Sequence, residues 1–371
     1  MKKKYMKYGA LGAVVVGGII VCSALGGQVL DHLAYRPEDA TVLDLSLQDN
    51  EFYIDEANYA ETMQEIILPY LEQHQTTGYL TAEDGVQIYY EQYLLEGAKN
   101  HVVILHGFTE SSHKYREVIY YFMQEGYSVS IMDHRGHGQS EREVEDTSKV
   151  HIDDFDIYVS DLKAMMDEVI VPSTPNVNFF LYAHSMGGGI GSLFLEQYPD
   201  EYFTAAALNA PMMEIHTGSV PKFIANAIAN FMNFIGKGES YILGQGPYEG
   251  IYEHTYPTSS QARTTYLEGL KASDETLQLN GGSFTWLKEG FEATEEMQEN
   301  AGKATTPIML FQASDDTYVL PEGHYIFVNG APNTELVFVE NSQHEIYLSK
   351  NEIMVPYFNT IFDFFEEYAE Q

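Results

Sequence analysis

Val177-Asn178-Phe179-Phe180-Leu181-Tyr182-Ala183-His184-Ser185-Met186-Gly187-Gly188 joins an apolar run to a helix-like stretch that reaches Tyr198. The run before Ser185 has the length and composition of a buried strand. A serine between such a strand and a helix, with small residues two places to either side, is a nucleophile elbow. The turn is too tight for bulky neighbours. It holds the serine in a strained conformation with its hydroxyl clear of the sheet. Ala183 stands where the usual Gly-x-Ser-x-Gly pattern has glycine, one methyl group more. Alone, the pattern also suits a glycine-rich turn with an incidental serine. The rest of the chain weighs against that.

To either side the same rhythm continues. Residues 86–93, 101–105, 127–132, 205–209, 307–312 and 336–339 read as strands. Residues 112–124, 154–171 and 349 onward read as helices. Short apolar strands alternating with helices predict an α/β fold, a mostly parallel sheet covered by helices on both faces. Between residues 212 and 304 the rhythm stops, and a mostly helical insertion is expected as a cap. Within it, residues 221–235 carry Phe223, Ile224, Ala227, Ile228, Phe231, Met232 and Ile235. Such a face belongs to a packed amphipathic helix, or to a cap that lines an acyl pocket or touches lipid. The insertion's place between two strands favours the cap. The core is thus expected over 78–211 and 305–371. Residues 31–77 form an acidic spacer with a docked helix near 55–74, presenting Ile66, Ile67, Tyr70 and Leu71.

The chain has 371 residues, 19 Lys+Arg against 55 Asp+Glu, and a formal charge of −36. Lys2, Lys3, Lys4 and Lys7 are among those few positives, so the remainder is more acidic still. Such a surface repels nucleic acid and anionic bilayers. Residues 8–30 carry no charged side chain, long enough for a membrane anchor and equally suited to a secretory signal. The lysines before it keep the N-terminus inside and send the rest across. The expected location is the extracellular face of the cell membrane, or secreted. The one cysteine, Cys22, falls in this segment, so the globular part has no disulfide or thiol chemistry.

Serine needs a base to take its proton and an acid to orient that base. Behind a nucleophile elbow these follow in the order Ser, Asp/Glu, His, each beyond a strand end. Ala313-Ser314-Asp315-Asp316 and Asn341-Ser342-Gln343-His344-Glu345 occupy those places. Asp316 is taken as the acid, with Asp315 as a turn or capping residue. His344 is preferred to His324, which sits in a helix-like stretch after Pro321. The oxyanion hole is assigned to the backbone N–H groups of Phe108, in His106-Gly107-Phe108-Thr109-Glu110, and of Met186. His106, Gly107, His184 and Gly187 are expected to support the site. Asp133-His134-Arg135-Gly136-His137-Gly138-Gln139-Ser140 reads as a buried charged turn bracing the loops. Thirteen histidines without ligand spacing give no case for a metal.

Together these segments resemble the α/β-hydrolase superfamily, and within it the lysophospholipase and monoacylglycerol lipase branch grouped with serine aminopeptidase-like hydrolases. The likeness runs from about residue 78 to 365. Gly282-Ser283-Phe284-Thr285-Trp286-Leu287 adds to it inside the insertion. The resemblance implies ester hydrolysis of monoacyl lipids through an acyl-enzyme, with no cofactor. Two other readings stand beside it. One keeps the serine chemistry on peptides, thioesters or short esters; the other is a catalytically silent binding protein on the same scaffold.

Overall fold

The computed structural model describes residues 40–47, 52–250 and 257–369. The uncharged N-terminal stretch expected to be an anchor or signal lies outside the described residues. Among those described, no helix is long and apolar enough to cross a membrane.

A nine-stranded sheet forms the centre. In chain order its strands are β1 (Thr41–Val42), β2 (Gln75–Thr81), β3 (Gln87–Tyr93), β4 (Asn100–Leu105) and β5 (Ser128–Met132), then β6 (Asn178–His184), β7 (Ala205–Asn209), β8 (Ile308–Ala313) and β9 (Thr334–Val339). Their spatial order is β1-β9-β8-β7-β6-β4-β5-β3-β2. All neighbours are parallel except the β2–β3 and β3–β5 pairs. The middle strands β4, β5, β7 and β8 are apolar along most of their length and buried almost throughout, as a sheet covered on both faces requires.

The helices are α1 (residues 59–72), α2 (Arg116–Gln124), α3 (residues 156–173), α4 (Met186–Gln197), α5 (Lys222–Phe234), α6 (Gln261–Ser273), α7 (Phe284–Asn300), α8 (Pro321–Gly330) and α9 (Asn351–Ala369). Helices α1 and α3 each contain a π turn, Met63–Ile67 and Met166–Ile170. Side chains of α3, α4, α7 and α8 close one apolar layer against the sheet. Those of α1, α2 and α9 close the other. The mostly parallel sheet with helices on both faces is the expected α/β architecture.

Three local expectations need correction. Helix α1 docks through Tyr59, Met63, Ile67 and Leu71, one residue every four, while Ile66 is 55% exposed. The π turn and the i, i+4 spacing set that face, and Ile66 falls beside it. Strand β2 begins before residue 78, inside the stretch read as spacer. Its Gln-Thr-Thr-Gly-Tyr-Leu-Thr sequence has almost no apolar signal because it is an edge strand. Helix α5 buries only Ala229 fully, with Ala225, Ile228 and Met232 packed alongside. Phe223, Phe231 and Phe234 stand 74%, 58% and 86% exposed, and no residue of α5 lines the main cavity.

Candidate active site

Strand β6 delivers Ser185 to the C-terminal edge of the sheet, directly before α4. The residue has φ 50° and ψ −119°, a left-handed conformation that a non-glycine residue adopts only under local constraint. Its N–H donates to the Asn209 carbonyl at 3.1 Å, and its own carbonyl accepts from Met212 N–H at 2.8 Å. The turn thus hangs on the end of β7. A Cβ on Gly187 would lie 2.4 Å from the Leu105 oxygen and 2.5 Å from that of His106. The Ala183 methyl is fully buried and faces Gly191 of α4. A Cβ at Gly191 would meet the Ala183 methyl at 3.5 Å and a Leu181 methyl at 3.0 Å.

His344 follows β9 and lies between Ser185 and Asp316. Its Nε2 is 2.8 Å from Ser185 Oγ, and its Nδ1 is 2.7 Å from Asp316 Oδ2. The Tyr318 ring stacks on the imidazole, centroids 5.1 Å apart. The other Asp316 oxygen accepts the Tyr318 and Val319 amides at 2.8 and 3.1 Å. Burial opposes the Asp316 charge. His344 and those two amides more than offset it and hold the carboxyl below its usual range. Burial likewise opposes charge on His344, but Asp316 raises its pKa above the ordinary value. Asp315 is exposed and bonds to Ser314 Oγ at 2.9 Å, away from the imidazole. His324 is in α8, with Nε2 2.8 Å from the Pro211 oxygen, outside the Ser185–His344–Asp316 chain of bonds.

Phe108 and Met186 flank the serine from the β4 loop and the first residue of α4. Neither backbone N–H makes a hydrogen bond among the described residues, so both donors are unspent. Gly107 N–H is occupied: it donates to Glu110 Oε2 at 2.7 Å, which folds the loop back on itself. The Phe108 ring packs on Trp286, centroids 4.2 Å apart. His106 Nε2 accepts the His134 amide at 2.9 Å, linking this loop to the charged turn. In that turn, Asp133 accepts Ser112 and Gln139 amides at 2.6 and 2.8 Å, and Arg135 pairs with Asp161 at 2.9 Å. His184 Nδ1 lies 3.1 Å from the Asn209 oxygen, and burial pushes its pKa down to about 3. It is a neutral packing partner of His344.

A charged cluster beneath these histidines is absent from the sequence reading. Lys114 Nζ bridges Glu110 and Glu345, 2.5 Å from each. Glu110 also accepts the Tyr115 and Tyr347 hydroxyls at 2.7 and 3.2 Å. Burial opposes the Glu110 charge, and the Lys114 ammonium with the Tyr115 hydroxyl outweighs it, so the carboxyl stays low. Ligand atoms of Glu110, His184 and Glu345 lie within 4.8 Å of one another, a spacing that suits a metal. The Lys114 ammonium already supplies the cation to both carboxylates. The i, i+4 spacing of Glu110 and Lys114 and the adjacency of Glu345 to His344 are the signals that mark the cluster in the sequence.

Above Ser185 and His344 opens a cavity of about 690 Å³. Its near wall is the Phe108–Ser111 loop. Its far wall comes from the insertion, residues 244–250 and Leu267, Leu270, Leu277 and Leu279 among them. A serine held by an imidazole and a buried carboxylate, beside two unspent amides, has the parts for nucleophilic acyl transfer.

Residues 96–351 match the Hydrolase_4 family, described as serine aminopeptidase, S33. The chain is 30% identical to lysophospholipase L2 of Escherichia coli (strain K12) over 298 residues, 78% of this chain and 86% of that one. It is 25% identical to the monoglyceride lipase of Mus musculus, covering 76% and 87%. A soluble variant of the Saccharomyces cerevisiae monoglyceride lipase, in complex with a substrate analogue, superposes with a TM-score of 0.62 at 19% identity, covering 79% and 96%. A thermostable carboxyl esterase from Bacillus coagulans gives 0.65 at 17%, covering 80% and 99%, a likeness of fold. The chain belongs to the serine aminopeptidase S33 family of the α/β-hydrolase superfamily.

Proposed function

We propose that the protein is a serine carboxylic ester hydrolase that releases fatty acid from monoacyl lipids, either lysophospholipid or monoacylglycerol. Ser185 Oγ attacks the ester carbonyl while His344 Nε2 takes its proton. The Phe108 and Met186 amides receive the developing oxyanion. His344 then returns the proton to the leaving alcohol, and water releases the acid from the acyl-enzyme. Asp316 holds the imidazole tautomer and stabilises its charged form. The observation that carries this reading is the unbroken chain Asp316–His344–Ser185, with bonds of 2.7 and 2.8 Å, at the floor of the cavity. The relatives that act on monoacyl lipids, and the four leucines of the far wall, support the lipid substrate.

The test is fatty-acid release from lysophosphatidylcholine and monoacylglycerol by the parent beside Ser185→Ala. Release by the parent alone is expected. A parent that labels with a fluorophosphonate yet releases nothing from either lipid overturns the lipid assignment and favours peptides, thioesters or short esters.

The same reading extends to location. The lysines at positions 2–4 and 7, followed by uncharged residues 8–30, support a catalytic part on the outer face of the cell membrane, tethered or released. An exposed helix α5 with no acidic residue supports contact with lipid from that side. Protease accessibility in intact cells, compared with lysed cells, tests the placement; protection in intact cells overturns it.

A further inference from the structure

On the reading just given, the acyl half of the ester becomes attached to Ser185 and the alcohol half departs past His344. The wall beyond His344 therefore meets the headgroup. The polar part of the cavity lining contributed by the insertion comprises Lys271, from α6, with Tyr248, Glu249 and Glu268. We propose that Lys271 is a specificity-determining residue that takes the phosphate of a zwitterionic monoacyl phospholipid.

Lys271 differs from its neighbour Lys114. The Lys114 ammonium is spent on Glu110 and Glu345. The Lys271 ammonium makes no ion pair among the described residues. Its contacts are the Leu279 carbonyl at 2.5 Å and the Tyr248 ring, 5.5 Å from the centroid. An ammonium has three donors, so two are left for a ligand. A half-buried cation without a counter-ion is costly, and an anion arriving in the cavity offsets that cost. The cost is visible in the pKa, pushed down to about 8 chiefly by burial and further by Lys114, with Glu110 and Glu345 opposing. Glu345 adjoins His344 in sequence, and both line the same cavity as Lys271, so a headgroup leaving past His344 has Lys271 within the same enclosed space.

The surroundings restrict the anion. In a chain of formal charge −36, a free anion is repelled before it arrives. Glu249 and Glu268 in the same lining oppose a headgroup of net negative charge. A phosphate balanced by its own ammonium meets neither objection. Its anionic oxygens face Lys271, and its cation faces the two carboxylates and the Tyr248 ring.

The experiment compares kcat/KM for lysophosphatidylcholine and for monoacylglycerol of the same acyl chain in the full-length protein, Lys271→Met and Lys271→Arg. The ratio of the two values cancels losses from misfolding. Lys271→Met is expected to lower the phospholipid-to-glyceride ratio about tenfold, and Lys271→Arg to restore most of it. An unchanged ratio in Lys271→Met overturns the assignment. Inorganic phosphate added to the monoacylglycerol assay separates the two sources of phosphate. Inhibition that Lys271→Met abolishes marks a site for free phosphate and overturns the headgroup reading. No hydrolysis of either lipid by the parent brings down the proposed substrate class, and this inference with it.

Discussion

Asp315 and Asp316 are adjacent in sequence and differ completely in setting. Asp316 is bonded to His344 Nδ1 and to two amides, whereas Asp315 faces solvent beside Ser314. Asp316→Asn is expected to lower kcat by about 10⁴-fold by stabilising the wrong imidazole tautomer. Asp315→Asn should stay within a few-fold of the parent, and steady-state rates with a chromogenic ester distinguish the two. The charge of Asp316 also sets the acid limb of the pH profile. His344 acts as a base only when neutral, so kcat/KM falls as pH drops through its pKa. That pKa is raised, so the limb lies above about 6.5 in the parent, the ordinary histidine value. Asp316→Asn removes the attraction and moves the limb to lower pH, an outcome read from the residual activity. A limb that does not move would mean that Asp316 is not the charge His344 senses. Position in the Ser–Asp–His order made Ser185, Asp316 and His344 legible in the sequence. The Lys114 bridge was only half legible, because Glu345 comes from a distant segment, and Lys271 was not legible, because its place in the cavity depends on how the insertion folds.

The nucleophile elbow is the element where backbone geometry limits the sequence most tightly. Two carbonyl oxygens, of Leu105 and His106, leave no room for a Cβ at Gly187, and neither can move without disturbing β4 and its loop. Gly187→Ala is expected to cost roughly 3 kcal/mol or more by overpacking, and to abolish fluorophosphonate labelling. Ala183→Gly should keep the labelling and lower stability by about 1 kcal/mol, through one lost buried methyl and a more flexible unfolded chain. Urea titration of both variants checks the asymmetry. If Gly187→Ala unfolds at the parent's midpoint, the close approach at that glycine carries no weight. Elements with a strong apolar period, β4 to β8 and α2 to α4, were readable within a residue or two at most ends. The misses have a common cause. Strand β2 and the two-residue β1 lie at sheet edges, where half or more of the side chains meet water and the pattern fades. For helix α5 the apolar pattern left packing, a pocket wall and lipid contact open; its three phenylalanines face outward, which removes the pocket wall and leaves the surface-contact alternative.

Helix α6 of the insertion meets the body of the protein at a buried guanidinium, while α7 packs its apolar side chains into the core. Arg263, in α6, is fully buried, and its Nε and Nη2 bond to both Glu117 oxygens, the closest at 2.7 Å. Its Nη1 donates to the Ser349 carbonyl at 3.0 Å, and Nη2 also reaches Asn351 Oδ1 at 3.0 Å, at the start of α9. Glu117, in α2, accepts the Tyr59 and Tyr121 hydroxyls at 2.9 and 2.5 Å. Four separated parts of the chain, α1, α2, α6 and α9, therefore meet at one charge pair. Burial opposes the Arg263 charge, but Glu117 keeps the guanidinium firmly protonated. Such a pair adds little over a well-packed apolar substitute, yet breaking one side leaves an uncompensated buried charge. Arg263→Met is expected to cost about 3–5 kcal/mol in urea unfolding. The double variant Arg263→Met/Glu117→Gln should recover a large part of that, because no charge is then stranded. The same helix carries Leu267, Leu270 and Lys271 to the cavity wall, so Arg263→Met is also expected to raise KM for long-chain esters more than it lowers kcat. A double variant no more stable than Arg263→Met alone would show that the joint depends on packing, with the charge pair incidental to it.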